Sequence, residues 1–283
     1  MSSTQKTMVI TGCSTGFGRA TALLMAGLGW RVFATVRKEE DRAALREEAR
    51  RLDGSGELLP VLCDITDVAQ VARLRDTVSA AVERLDALVN NAGTAYAAPL
   101  ELLELDDLRQ QFEINVVAQV GVMQAFLPLL KAARGTIINI SSISGRYSAP
   151  VIGPYAASKY ALEALSDALR VEMAPFGVQV VLIEPGSSST RIWATSRQRA
   201  TKLDKYRDGP YGPLLARVER FINHSEKHGF APELVAEVIE QVLSTSRPRA
   251  RYLVPRREGR VIFARKLITD RFWDKQVRKM MQW

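Results

Sequence analysis

Two cysteines and two histidines are all that the 283 residues contain, and that scarcity excludes several kinds of protein. Cys13 and Cys63 cannot build a disulfide framework, and with His224 and His228 they make no metal-ligand spacing. The histidines stand four apart on a helical stretch and read as surface residues, so no metal centre is expected. In a reducing compartment the cysteines are free thiols. Long apolar runs are scarce too: none approaches the roughly 18–20 residues that a membrane span needs. The N-terminal MSSTQKTMVITG runs straight into glycines and lacks the pattern of a secretory leader. Together these absences give a cytoplasmic expectation. Positive charge is missing where a nucleic-acid-binding domain would carry it. The formal net charge is +8, but twelve Lys/Arg against three Asp/Glu follow position 246, and the preceding residues hold 27 against 28. The basic character belongs to the tail, and nucleic acid is not an expected partner.

What is present is a rhythm. Short, continuously apolar segments alternate with longer segments of helical periodicity. MVI is the first strand, RVFATV the second and ELLPVLCDIT the third. DALVNNAG holds the fourth, RGTIINIS the fifth, VQVVLIEPG the sixth and RYLV the last. Strands of this kind, separated by helices, make a parallel sheet covered on both faces. The fold expected is α/β: a single doubly wound, mostly parallel, Rossmann-like sheet. The 283 residues then form one domain.

In such sheets ligands bind outside the carboxyl ends of the strands. Gly12, Gly16 and Gly18 follow the first strand in TGCSTGFG, and a helix follows them. Glycines permit a tight turn there, and the helix N-terminus offers N–H groups and a positive dipole end to a pyrophosphate. The spacing TGxxxGxG is a variant of the dinucleotide fingerprint. Arg37 and Lys38 close the second strand with no acid before Glu39. An arginine at that place suits the 2′-phosphate of NADP, where an acid would suit the ribose of NAD. The other reading of Arg37 is a solvated charge at the start of the helix KEEDRAALREEARRL. Asp64 ends the third strand. It faces adenine, or it caps the helix VAQVARLRDTVSAAVERL, a task open also to Thr66 and Asp67. Asn90, Asn91, Ala92 and Gly93 end the fourth strand, where small and amide residues let backbone and cofactor approach closely. A long helix from about Asp106 to Leu130 carries Asn115 inside an apolar run. Its amide is satisfied in the core, or it holds water at the site.

The organising stretch is SSISGRYSAPVIGPYAASK, from Ser141 to Lys159. Ser142 closes the fifth strand. Tyr155 and Lys159 open the helix YALEALSDALRVEM, whose apolar face is read from Leu162, Leu165, Leu169 and Met173. Tyr155 and Lys159 therefore sit one turn apart on one face. A cation that close favours the phenolate and lowers its pKa, while Ser142 can bond the oxygen that gains or loses the proton. The pair alone is weak, since tyrosine and lysine fall four apart by chance often enough. The convergence of Gly12–Gly18, Arg37, Asp64, Asn90–Gly93, Ser142 and Gly186 on strand ends carries the argument.

TGCSTGFG, NNAG, Asn115, Ser142, Tyr155-Ala-Ala-Ser-Lys159 and Pro185-Gly186, in this order, resemble the short-chain dehydrogenase/reductase family over residues 6 to about 190. The wording TGCSTGFG and FATVR is most similar to its hydroxysteroid and retinol dehydrogenase branches. The resemblance implies Tyr155 as acid/base, Ser142 orienting the carbonyl and Asn115 holding a relay water. Lys159 is implied to bind the nicotinamide ribose and to lower the tyrosine pKa. The cofactor set implied is Gly12, Ser14, Thr15, Gly16, Phe17, Gly18, Arg37, Asp64, Asn91, Ala92, Gly93, Tyr155, Lys159, Pro185, Gly186 and Thr190. Thr190 matches the position that contacts the nicotinamide or the phosphates, although the SSST wording after Pro185-Gly186 departs from the family's commoner forms. The expectation is an NADP(H)-dependent oxidoreductase, with NADP(H) favoured over NAD(H). It interconverts a hydrophobic ketone or aldehyde and its alcohol, and the family likeness implies a homodimer or homotetramer.

Residues 187–229 carry few regular signals. Trp193, Tyr206, Tyr211 and Phe221 punctuate a polar stretch read as a substrate lid. Tyr147, Ala149, Pro150, Val151 and Ile152 line the opposite wall in one reading and merely pack the loop in the other. APELVAEVIEQVLS is a further helix. The tail, about 256–283, is basic and amphipathic, with Phe263, Leu267, Trp273, Val277 and Met280 approximating one face. It packs on the body or a sister subunit, or lies as a peripheral contact on an anionic membrane. Competing functions are a 3-ketoacyl-thioester reductase, a non-catalytic NADP(H)-sensing binding protein and a peripheral membrane scaffold.

Overall fold

The computed structural model describes residues 5–190, 192 and 201–283. Seven strands form one sheet in the order β3-β2-β1-β4-β5-β6-β7: β1 Thr7–Ile10, β2 Arg31–Val36, β3 Glu57–Leu62, β4 Ala87–Asn90, β5 Thr136–Ile140, β6 Gln179–Pro185 and β7 Arg251–Val254. Every pairing is parallel. Successive side chains alternate between the two faces. Met8 and Ile10 join one core with Ala22 and Met25 of helix α1 (Gly16–Gly27). Val9 joins the other with Leu74 of α3 (Val68–Ala81) and Phe126 of α5 (Ala118–Ala133). Both faces are therefore buried, which is why the central strands are mostly apolar. The exception is β3, whose residues alternate in exposure. It is an edge strand, and it tolerates Pro60 because that edge needs no N–H there.

The chain turns from one half of the sheet to the other between β1 and β4, and the crevice at that switch point receives the glycine turn. Helix α2 spans Glu39–Ala49. Helix α4 (Leu105–Phe112) runs through a π-helical turn, Glu113–Val117, into α5. The long helix expected from about Asp106 is thus interrupted by one wide turn. As a whole, Leu105–Ala133 is long and apolar enough to cross a membrane by length and composition, which corrects the expectation that no run comes near. Val122, Met123, Phe126 and Leu130 pack it into the core, and its buried amides are paired within the protein. Gln111 Nε2 donates to the Thr94 carbonyl (2.9 Å) and Gln119 Nε2 to the Ala92 carbonyl (2.7 Å).

Helix α6, Gly153–Met173, starts where expected, but its inner face differs. Leu162 and Met173 are buried, whereas Leu165 is exposed and Glu163 and Ser166 turn inward. Polar partners explain the shift. Asn90 Nδ2 donates to Asn139 Oδ1 (3.0 Å), Asn139 Nδ2 to Ser166 Oγ (2.8 Å) and Ser166 Oγ to the Leu162 carbonyl (2.6 Å).

The stretch 187–229 is more regular than its composition suggests. Helix α7 occupies Gly212–His228, with Leu214, Val218 and Ile222 facing inward. Trp193 lies outside the described residues. Helix α8 spans Glu233–Ser244. The tail forms two helices, α9 (Gly259–Leu267) and α10 (Asp270–Met281). Their inner face also differs from the expected one. Met281 is buried and Val277 packs beside it against Val151, Leu214, Val218 and Ile222. Phe263, Leu267 and Met280 face outward. Trp273 meets Tyr147 edge-on (5.6 Å between ring centres) and Trp283 stacks on Tyr211 (5.6 Å). The tail packs on the body.

Candidate active site

The glycine turn is held by its neighbours. Gly12 and Gly16 take φ of 73° and 60°, conformations a side chain disfavours. Asn91 Nδ2 donates to the Thr11 carbonyl (2.8 Å) and the Gly12 carbonyl (2.9 Å), so its amide pins the turn. Thr15 caps α1 with its backbone alone, and no acid stands in the first helical turn. Ser14 and Thr15 are exposed at the turn, and Arg37 is exposed at the end of β2. An uncapped helix N-terminus, an arginine and no nearby acid fit the phosphates of a dinucleotide. The Phe17 ring lies parallel to Phe230, 6.1 Å between centres. The Thr190 methyl sits beside Gly16, close enough to touch a Cβ built there at 3.2 Å, so the structure brings Thr190 to the turn.

At the end of β3, Asp67 is the cap of α3, accepting from Ala69 N (2.9 Å) and Gln70 N (3.1 Å). Asp64 instead accepts from Thr66 N and Oγ1 through one carboxylate oxygen. The capping reading of Asp64 is therefore displaced. Gly93 brings the end of β4 against the reacting side: a Cβ there would lie 3.3 Å from Asn115 Oδ1 and 3.9 Å from Lys159 Nζ. The Asn115 amide is satisfied internally. It accepts from Thr94 N (2.9 Å) and donates to the Thr94 carbonyl (2.9 Å) and Ser158 Oγ (3.1 Å). The π-helical turn that contains it displaces the backbone locally, as such turns often do beside functional sites.

Ser142, Tyr155 and Lys159 are all buried. Ser142 starts a 3-10 turn, Ile143–Gly145, accepting from Ser144 N (3.1 Å), and its hydroxyl points to the Pro185 carbonyl (3.4 Å). The Tyr155 phenol is hydrogen-bonded to Ser142. Lys159 Nζ donates to the Ile140 carbonyl (2.7 Å) and lies 5.8 Å from the centre of the Tyr155 ring. Burial pushes the phenol up to about 12 despite the Ser142 bond. That reverses the expected direction: loss of hydration outweighs the Ser142 hydrogen bond. At neutral pH the phenol holds its proton, the form that donates to a carbonyl oxygen. Burial also brings the Lys159 ammonium down to about 8, against the pull of Glu163. Burial raises the thiol of Cys13 far above its usual range and that of Cys63 to about 11, so neither is a nucleophile.

Some features near the site were not legible in the chain, among them the backbone of Val151, a residue read there as part of one wall. Val151, in the loop before Tyr155, has φ of 71°, rare for a β-branched residue and worth about 1–3 kcal/mol of strain. Its carbonyl accepts from Ala98 N (2.9 Å) and its side chain packs under α7 and α10. Glu258 lies against Gly186, where a Cβ would come within 2.8 Å of its Cγ. Glu163, Glu184, Arg146 and Arg251 form a charged group behind Lys159. The one signal for these was a glutamate four residues after Lys159. A cavity of about 230 Å³ lined by Tyr96, Ala98, Leu203 and Tyr206, among others, includes none of Ser142, Tyr155 or Lys159 and is not the reaction chamber.

The short chain dehydrogenase family model matches residues 6–201. The NADPH-dependent 3-dehydrocapnine reductase of Ornithobacterium rhinotracheale is 36% identical over 274 residues, 94% of each chain. Retinol dehydrogenase 5 of Mus musculus is 37% identical over 258 residues, 86% of this chain and 78% of that one. Among solved structures, a short chain dehydrogenase/reductase of Burkholderia phymatum in complex with NAD aligns with a TM-score of 0.79 and 25% identity, covering 91% of this chain and 92% of its own.

Proposed function

The chain belongs to the short-chain dehydrogenase family, and we propose that it is an NADP(H)-dependent oxidoreductase that interconverts a hydrophobic ketone or aldehyde and its alcohol. The observation that carries this reading is the buried meeting of Ser142, Tyr155 and Lys159 at the end of β5 and the start of α6. The glycine turn, Arg37, Asp64, the 91–93 segment, Pro185-Gly186 and Thr190 would hold the dinucleotide. When bound, it supplies the hydride at its nicotinamide ring. The chain's own part is proton handling. Ser142 orients the substrate oxygen, Tyr155 donates its proton to that oxygen, and Lys159 supports the resulting phenolate. The family set includes both NADPH- and NAD-associated relatives, so the choice of NADP(H) rests on Arg37 and the missing acid at the end of β2. Monitoring NADPH oxidation against a panel of ketones, aldehydes, retinoids, steroids and acyl thioesters tests the reading. Turnover of the thioesters alone would favour the ketoacyl alternative, and binding of NADPH without turnover of any class would favour the sensor.

Arg37→Glu is expected to raise KM for NADPH about tenfold to a hundredfold, the loss of one charged contact, while KM for NADH changes little. Equal effects on the two dinucleotides would reject Arg37 as a phosphate-binding residue.

The tail adds a second surface. Phe263 and Leu267 are exposed on α9, and Phe272 and Met280 on α10, among basic residues that include Arg260, Arg271, Arg278 and Lys279. We propose peripheral contact of this face with an anionic membrane. Replacing Phe263 and Leu267 with serine is expected to lower cosedimentation with anionic vesicles and to leave turnover of a soluble substrate unchanged. Equal vesicle binding by both proteins would reject the contact. Light scattering of the eluting protein tests the proposed homodimer or homotetramer.

A further inference from the structure

Glu163 lies one helical turn beyond Lys159 on α6, and both are buried. Its Oε2 accepts from Arg251 Nε (2.9 Å), across 88 positions of sequence. Arg251 Nη2 also donates to Asp167 Oδ2 (2.7 Å), and its Nε lies 3.3 Å from Glu184 Oε1. Glu184, on β6 directly before Pro185, accepts from Arg146 Nη1 (2.8 Å). Arg146 in turn closes the 3-10 turn that begins at Ser142. The same turn presses on α6. A Cβ on Gly145 would meet Glu163 Cγ and Ser141 Oγ at 3.0 Å and the Lys159 carbonyl at 3.2 Å. The other carboxylate oxygen, Glu163 Oε1, is buried with no full hydrogen bond among the described residues, and Ser141 is the hydroxyl beside it.

We propose that Glu163 is a positioning residue of the reaction: as an Arg251-bound carboxylate, it keeps Lys159 in its ammonium form behind Tyr155. This rests on the Tyr155–Lys159 reading of the reaction. A buried ammonium without a nearby negative charge loses its proton readily. Lys159 already stands at about 8, and the Glu163 charge is what opposes burial there. The charged groups facing Glu163 are Lys159 and Asp167 on α6, Glu184 on β6 and Arg251 on β7. Arg146 faces Glu184 from the Ser142 turn. Glu163 itself is pushed up, first by burial and then by Glu184, while the Ser141 hydroxyl and Arg251 favour its charged form.

The test uses carbonyl reduction by full-length protein and, separately, the 13Cε resonance of Lys159 without dinucleotide, assigned by its loss in Lys159→Met. In wild type both the alkaline limb of kcat and the NMR titration are expected near pH 8, as the ammonium is lost. In Glu163→Gln both move down by about one pH unit, so kcat above that limb falls about tenfold while KM for NADPH changes less than about twofold. Glu163→Asp, which keeps the charge, restores the wild-type limb. Should Glu163→Gln fail to fold because Arg251 Nε loses its Glu163 partner, Glu163→Gln/Arg251→Gln removes both sides of that contact and is expected to show the same shift. An unmoved Lys159 titration and an unmoved limb in a folded variant overturn the proposal. Wild-type turnover in a Tyr155→Phe control would instead overturn the underlying reading, whatever Glu163 does.

Discussion

Tyr155→Phe is expected to bind NADPH with a near-normal Kd and to lose turnover by about 10²–10⁴-fold, the range for removing a positioned proton donor. The substitution deletes one oxygen and keeps the ring. That ring is buried at the start of α6, so packing is preserved and the fold should be intact. What disappears is the group hydrogen-bonded to Ser142 and protonated at neutral pH. Ser142 retains its contacts with Ser144 N and the Pro185 carbonyl, and Lys159 retains Ile140. The loss should therefore appear in kcat and not in dinucleotide affinity. Stopped-flow NADPH oxidation alongside fluorescence binding separates the two. Turnover within about threefold of wild type would remove Tyr155 from the chemistry, and with it the reading of this site.

Gly18→Ala should have the second large effect, by a different route. A methyl there would overlap Asn91 Nδ2 and the Gly12 carbonyl. Asn91 Nδ2 is the atom that ties down the Thr11 and Gly12 carbonyls, and a backbone oxygen cannot rotate away. The turn and the N-terminus of α1 must shift together. Overpacking of this kind costs about 1–3 kcal/mol. Displacing phosphate-binding N–H groups by about 1 Å is expected to weaken NADPH binding by about 10²-fold. Gly121→Ala is the control: no atom lies within 4 Å of its added Cβ, and alanine favours the helix by roughly 0.5–1 kcal/mol. Thermal melts and NADPH titrations of the pair check this. A Gly18→Ala protein with normal affinity would mean that the turn does not set the dinucleotide site.

Much of the framework was legible in the residues because its signals are local. Continuous apolar strands, glycines between a strand and a helix, and the spacing of Tyr155 and Lys159 each depend on neighbours along the chain. The strands and α1, α6 and α8 accordingly lie where periodicity put them. Helix α7 was legible only around His224 and His228, because Gly209-Pro210 and Gly212-Pro213 hid the inward positions Leu214, Val218 and Ile222, whose common face shows only against Val151 and Met281. The tail was legible as amphipathic, yet its inner face depended on Tyr147 and Tyr211, aromatic partners supplied by distant segments.

By itself, then, the order of residues determined the parallel α/β sheet, the glycine turn at its first strand and the run from Ser142 to Lys159, since local periodicity and backbone freedom decide these. The tertiary structure alone decided how those groups are charged. Burial holds the Tyr155 phenol up at about 12 and Lys159 down to about 8, and Arg251 reaches Glu163 from the last strand. Hydration and Coulomb energies depend on distance and depth in space, and neither is specified until the chain has folded.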